Sequence, residues 1–155
     1  MEIRGFQPED AVETARMIAK TLQISNGKDY TEEYLAGIIA SYSAGDLLKK
    51  AEEGHMYVAC EGARIVGCGA IAPYMGKADE SILLTFFVLP EYQGKGVGRL
   101  VMRAVEQDEY FLRAKRVELH ASITAVEFYR KMGYAYKGGI AKLDENLLYK
   151  LEKHR

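Results

Sequence analysis

The sequence predicts one domain of the α+β or α/β class, built on a single twisted sheet. Three observations predict it. The hydrophobic period switches between that of amphipathic helices and that of half-buried strands, in the order β-α-α-β-β-β-α-β-α-β-β. Residues 80–89 are the most apolar stretch, the pattern of a central strand covered on both faces. That stretch runs into a glycine-rich loop and then a helix, a strand–loop–helix unit of the kind that binds anions.

Each element has its own reason. Residues 2–6 alternate apolar and polar and read as the first strand. Gln7-Pro8-Glu9-Asp10 stops that strand and opens a helix to residue 22, with acidic side chains at its positive end. Residues 25–29 (Ser-Asn-Gly-Lys-Asp) are a loop. Thr31 is placed to cap a second helix over 31–44, and a helical turn follows over 46–53. Then the period shortens: 55–61 and 64–72 are strands joined by a tight turn at Gly62-Ala63. After a loop at 73–79 come the central strand 80–89, a helix over 97–111 and a strand over 116–121. A helix over 124–132, closed by Gly133, and strands over 134–141 and 147–151 complete the chain.

Composition sets limits on function. A chain of 155 residues buries about 70% of the surface its unfolded form exposes, enough for one core without covalent staples. Its 21 basic and 22 acidic side chains leave a net charge of −1, so no global field draws in nucleic acid or an anionic membrane. The longest apolar run, 82–90, is too short to span a bilayer. The start Met-Glu-Ile-Arg lacks a signal-peptide pattern, and the expected location is cytoplasmic. A hairpin turning at Gly62-Ala63 sets residue 60 opposite 65 and residue 68 opposite 57, so Cys60 and Cys68 do not face each other and no disulfide is expected. Two cysteines without a CxxC pair or clustered histidines predict no metal site.

The most informative stretch is Phe86-Phe87-Val88-Leu89-Pro90-Glu91-Tyr92-Gln93-Gly94-Lys95-Gly96-Val97-Gly98-Arg99. Glycines let the backbone approach an anion, and the first turn of a helix presents unpaired N–H groups to it. Lys95 and Arg99 add positive charge. The stretch lacks the Ser or Thr that follows the lysine of a P-loop, and Gly94, Gly96 and Gly98 have the wrong spacing for a dinucleotide fingerprint. A glycine-rich helix start without a ligand is the bland alternative.

Two segments together decide between these readings. Gln93-Gly94-Lys95-Gly96-Val97-Gly98 resembles the Q/R-x-x-G-x-G/A segment of the GCN5-related N-acetyltransferase superfamily. Residues 122–134, Ser-Ile-Thr-Ala-Val-Glu-Phe-Tyr-Arg-Lys-Met-Gly-Tyr, are similar to that family's second signature, N-x-x-A-x-x-F/L-Y-x-x-x-G-F/Y. The resemblance covers residues 55–151; before that, only the element order agrees.

The resemblance implies one twisted, mixed, mostly antiparallel sheet with helices on both faces, splayed between the central strand (80–89) and the next strand (116–121). It implies transfer of an acetyl group from acetyl-CoA to a primary amine by direct attack. The N–H groups of Gln93, Gly94, Lys95, Gly96, Val97, Gly98 and Arg99 then hold the pyrophosphate of coenzyme A. The edge of Phe86, Phe87 and Val88 pairs with the pantetheine amides like an added strand, and a main-chain N–H there holds the developing oxyanion. Ser122, standing where the family often has asparagine, and Ala125 join the cofactor contacts.

Tyr129 matches the family's tyrosine acid, which returns a proton to the leaving thiolate. It also sits in the apolar stripe Ala125, Phe128, Tyr129, Met132 and reads equally as core. Glu80, at the start of the central strand, and His120, which shares a strand face with Glu118, are the candidate bases. Acceptor choice falls to residues 22–45, 74–79 and 137–145, with Tyr30, Tyr34, Tyr42 and Tyr74 as candidate pocket walls. The acceptor is a small amine or a peptide, and the family's habit implies a homodimer. A non-catalytic acyl-CoA-binding module is the competing reading.

Overall fold

The computed structural model describes residues 1–155. Its strands are β1 Glu2–Gly5, β2 His55–Glu61, β3 Arg64–Pro73, β4 Glu80–Val88, β5 Arg116–Ala121, β6 Ala135–Tyr136 and β7 Tyr149–His154. All belong to one sheet in the order β1-β2-β3-β4-β5-β7-β6. β4 and β5 pair in parallel, and every other neighbouring pair is antiparallel. The helices are α1 Ala11–Ser25, α2 Glu32–Ala40, α3 Ala44–Glu53, α4 Val97–Val105, α5 Glu109–Leu112 and α6 Val126–Lys131. No helix is long and apolar enough to cross a membrane.

The core lies on both faces of the middle strands. β3 is buried without a break from Ile65 to Ile71, as a strand covered on both sides must be. α4 packs on β2 and β3, and α1 packs on β3 and β4. The approach of α4 depends on Gly69. A Cβ there would lie 2.7 Å from Val101 Cγ1 and 2.9 Å from two atoms of the Phe86 ring.

Several boundaries differ from those the sequence predicts, each for a local reason. The helix expected over 31–44 ends at Ala40, because Ser43 starts a new helix. Its Oγ accepts from the Asp46 N–H while the Asp46 carboxylate accepts from the Ser43 N–H, a reciprocal cap. The helix expected over 97–111 breaks before Asp108. That extended residue caps α5 by accepting from the Tyr110 N–H, and its carboxylate also bonds His55 Nδ1 and the Tyr57 hydroxyl. The strand expected over 134–141 shrinks to Ala135–Tyr136, because Gly138 and Gly139 take φ of 59° and 74° and curl the chain. β7 begins two residues late, since Leu147 has φ of 59° and Asp144 Oδ1 accepts from the N–H groups of Asn146 and Leu148.

The hairpin of β2 and β3 turns at the expected place and sets Cys60 opposite Ile65. A bulge between Ala59 and Cys60 then shifts the register, so Cys68 faces Val58 rather than residue 57. Both cysteines are buried and free.

The feature that positions everything else is a fork in the sheet. β4 and β5 pair only from Glu80↔Arg116 to Leu83↔Leu119. Two residues on, Thr85 adopts φ of 61°, and the β3–β4 register shifts between Cys68 and Ala70. Below the fork, Arg116 bridges three strands. Its guanidinium reaches Glu80 at 2.7 Å, Glu118 at 2.8 Å and Glu152 at 3.0 Å.

Gly69→Ala is expected to destabilise the fold by roughly 1–3 kcal/mol, the range for overpacking a well-filled core, and to lower the melting temperature. Thermal unfolding followed by circular dichroism checks it; an unchanged transition means α4 can retreat without cost.

Candidate active site

The fork opens into two connected cavities. The larger, about 480 Å³, is bounded by α1, the end of β4, the glycine loop and α6. The smaller, about 180 Å³, lies between α1, α2, β4, β5 and the loop before β7. Asn26, Phe86, Phe87, Ser122, Ala125 and Tyr129 line both, so the two volumes meet at the fork.

The larger cavity is built for an anion at one end. Pro90–Tyr92 make a tight turn, and the chain then enters α4 through Gly96, whose φ of 83° marks a left-handed residue that glycine tolerates best. The first helical bond runs from the Leu100 N–H to the Gly96 carbonyl at 3.1 Å, so the N–H groups of Val97, Gly98 and Arg99 lack helical partners. Gly98 lets the helix start press against Phe128; a Cβ would come within 3.0 Å of that ring. Gly94, Gly96, Val97, Gly98 and Arg99 line the cavity. Lys95 does not; its ammonium lies 5.5 Å from the centre of the Tyr92 ring. The Gln93 amide donates to Ser25 Oγ at 2.8 Å and to the Val88 carbonyl at 2.9 Å, fastening the loop to α1 and to the end of β4. The loop's remaining N–H groups and Arg99 thus fit a pyrophosphate.

Past the fork, β4 presents an edge that β5 no longer pairs. Phe86, Phe87 and Val88 line the larger cavity along it. Thr85 marks the bend. A β-branched residue with positive φ is a strained exception, costing about 1–3 kcal/mol, and its Oγ1 is buried without a hydrogen-bond partner. Sequence reasoning passed over Thr85. The available signal was a lone polar residue inside the apolar run 82–90.

Tyr129 stands between the two cavities, buried to 8% exposure and edge-on to both Phe86 and Phe128. Burial first, then the neighbouring Tyr42 and Cys68, push its phenol well above the ordinary value, so it stays protonated at neutral pH. Cys68 lines the larger cavity, but burial raises its thiol to about 12. The site therefore holds no ready thiolate nucleophile.

His120 lines the smaller cavity, and its Nε2 lies 2.7 Å from Glu118 Oε2. Glu118 is fully buried. Desolvation pushes its carboxyl up, but Lys137, His120 and Arg116 outweigh that and hold it down to about 2. An ionised Glu118 accepts from the Nε2–H, which orients the ring with Nδ1 on its other side. The structure does not bring Glu80 to the cleft. Arg116 and Lys77 engage its carboxylate, in that order of effect, and hold it below the usual range at the closed end of the fork.

Ser122 lines both cavities, with its Oγ accepting from the Ala125 N–H at 3.1 Å at the entry to α6. Of the four candidate wall tyrosines, Tyr30, Tyr34 and Tyr42 line the smaller cavity. Tyr74 instead donates to Glu118 at 3.2 Å. Tyr30 is a hub no local pattern announced. Its hydroxyl donates to the Leu147 carbonyl at 2.7 Å and accepts from the Ile123 N–H at 2.9 Å, tying three loops together.

The fold and the cleft define a class: one mixed sheet forked between its parallel strands, with a glycine-rich helix start at the mouth of the fork. The family model for the acetyltransferase (GNAT) domain matches residues 52–136, and the chain belongs to that family. Among solved structures it is similar to the PaiA N-acetyltransferase from Thermoplasma acidophilum in complex with coenzyme A. The TM-score is 0.84 at 20% identity, covering 99% of this chain and 98% of the other. A GCN5-related N-acetyltransferase from Rhodopseudomonas palustris gives 0.80 at 22% identity, covering 99% and 95%. An aminoglycoside 6'-N-acetyltransferase complexed with coenzyme A gives 0.73 at 15% identity, covering 99% and 97%. At these identities the likeness is one of fold. No curated protein sequence matches.

The depressed Glu118 acid has a consequence for stability. Its contribution is complete above the unfolded value near ~4.3 and is lost as pH falls from there towards about 2. Glu118→Gln is therefore expected to cost roughly 3 kcal/mol of stability at pH 7, as for a broken buried ion pair, to lower the melting temperature accordingly, and to flatten its fall below about pH 4. Melting curves of both proteins from pH 3 to 8 check this; parallel curves would contradict it.

Proposed function

We propose that residues 1–155 form a single acyltransferase domain that moves an acetyl group from acetyl-CoA to a primary amine, in a complex holding both at once. The observation that carries this is the meeting of two cavities of opposite character at the fork, with Tyr129 between them. Acetyl-CoA supplies a thioester as the electrophile. The N–H groups of Gly94, Gly96, Val97, Gly98 and Arg99 and the Arg99 guanidinium hold its pyrophosphate, and the unpaired edge at Phe86, Phe87 and Val88 takes its pantetheine arm. Ser122 and Ala125 border that arm.

The acceptor amine enters from the smaller cavity. His120, held by Glu118, takes one proton from the nitrogen through Nδ1. The new N–C bond forms as the C–S bond breaks, and a β4 main-chain N–H beyond the bend steadies the oxygen's developing charge. Tyr129 gives its proton to the departing sulfur. The position of Tyr129 between the two cavities supports that assignment; burial keeps the phenol protonated but also makes it a weaker acid, so the transfer relies on the charge that builds on the sulfur as the C–S bond breaks. The Cys68 thiol is buried and donates to the Thr85 carbonyl at 3.1 Å, which supports direct attack over a covalent acyl-enzyme. Glu80 is assigned no step.

Calorimetric titration with acetyl-CoA is expected to show binding by the parent and none by Gly96→Glu, whose side chain and charge oppose a phosphate at a strained φ. Binding by both proteins would place the cofactor elsewhere; binding by neither would end this reading. Tyr129→Phe and His120→Gln are each expected to lower kcat/KM by roughly 10²–10⁴-fold, the usual contribution of a general acid or base, with acetyl-CoA affinity kept. Thiol release measured across pH checks this. A His120→Gln enzyme with the parent's pH profile would remove the base.

A further inference from the structure

We infer that the acceptor is a monoamine carrying a compact apolar body, of the arylalkyl type. This rests on the acetyl-transfer reading and adds the class of its second substrate. The smaller cavity offers a recognisable chemistry. Its walls are aromatic and aliphatic, with Tyr30, Tyr34, Tyr42, Phe86 and Phe87 around the space and Leu, Ile and Ala side chains between them. Its polar members are Asn26, Ser41, Thr85, His120 and Ser122. No Asp, Glu, Lys or Arg lines it.

The size sets the body. The cavity's 180 Å³ compares with the apolar void of about 150 Å³ that admits benzene. One ring on a short alkyl arm fills it, and its burial supplies the affinity.

The charge pattern sets the number of amines. A polycation would leave a second ammonium in an apolar wall without a carboxylate to meet it, which is heavily penalised. The nearby carboxylates stand outside the lining and are turned to other partners. Asp29 accepts from Thr124 Oγ1 at 2.7 Å, and Asp144 accepts from two N–H groups of its own loop. Glu118 is matched by Arg116, Lys137 and His120. His120 is thus the one imidazole in a lining without a carboxylate or a cation, and it serves a single nitrogen. The apolar wall also lowers the amine's own proton affinity, favouring the neutral nucleophile. The Tyr30–Tyr34 stack, 4.8 Å between centroids, makes one side a flat aromatic wall.

The test is a competition between acceptor chemistries, with acetyl-CoA binding verified on the same preparation. Thiol release is measured with phenethylamine and benzylamine against spermidine, kanamycin and a short peptide with a free N-terminus. The inference expects kcat/KM for phenethylamine to exceed that for spermidine by about 100-fold or more. It also expects Ile38→Glu and Leu148→Glu, which put a carboxylate in the half-buried wall, to shrink that ratio by at least about tenfold. Higher kcat/KM with spermidine, kanamycin or the peptide overturns the inference. If no amine is acetylated, saturation-transfer NMR of phenethylamine on the enzyme–CoA complex separates the two ideas. Binding that Ile38→Glu weakens keeps the acceptor class while the transfer reading falls; no binding at millimolar amine removes the acceptor class as well.

Discussion

Arg116 is the constraint on which the cleft depends. Its guanidinium holds carboxylates from β4, β5 and β7 at one end of the sheet. The parallel pair below it lasts only four residues on each strand before β4 turns away. A sheet clamped at one end and bent at the other must open between two neighbours. Here the pairing stops inside the core, which exposes a strand edge where a ligand can complete it. The strain of Thr85 belongs to this geometry, because a β-branched residue keeps a positive φ only when its surroundings leave no alternative.

The opening separates two electrostatic environments. On one side lie a helix start with unpaired N–H groups and the Arg99 side chain, suited to a multiply charged, phosphorylated molecule. On the other lie phenol and phenyl rings with one histidine, suited to an apolar body. Tyr129 belongs to both, and its burial keeps the phenol protonated between a cavity fitted to phosphate and one fitted to hydrocarbon. The same buried carboxylate that helps clamp the sheet, Glu118, also orients His120. Structural and chemical roles therefore share one residue. Altering it is expected to disturb both, which is why pH-resolved stability and kinetics have to be read together.

The wall of the smaller cavity is assembled from segments far apart in sequence. Tyr30, in the loop after α1, bonds to the turn before α6 and to the loop before β7. Tyr34, one helical turn further on, stacks on Tyr30 and donates to the Asn146 carbonyl. These contacts replace backbone pairing where the chain has turned out of the sheet at Gly138 and Gly139. They make the smaller cavity a property of loops, fastened by side-chain hydroxyls rather than by strand ladders.

What the sequence determined by itself was local and periodic. β2 and β5 fall at the expected residues because alternation and turn signals are short-range. The glycine loop and α4 were legible because glycine best suits the left-handed turn at Gly96, and a helix start must expose N–H groups. The stripe containing Tyr129 was legible, with both its readings, but the choice between them was not, since core and cleft present the same apolar period. Only the tertiary structure decided which carboxylate meets which base. Glu80 and His120 are both polar residues on neighbouring strands. The Arg116 clamp draws Glu80 to the closed end, and the alternation of β5 sets Glu118 beside His120 at the open end. The strand register and the fork bring these groups together across the sheet, and contacts of that kind leave no spacing in the chain for a local pattern to read.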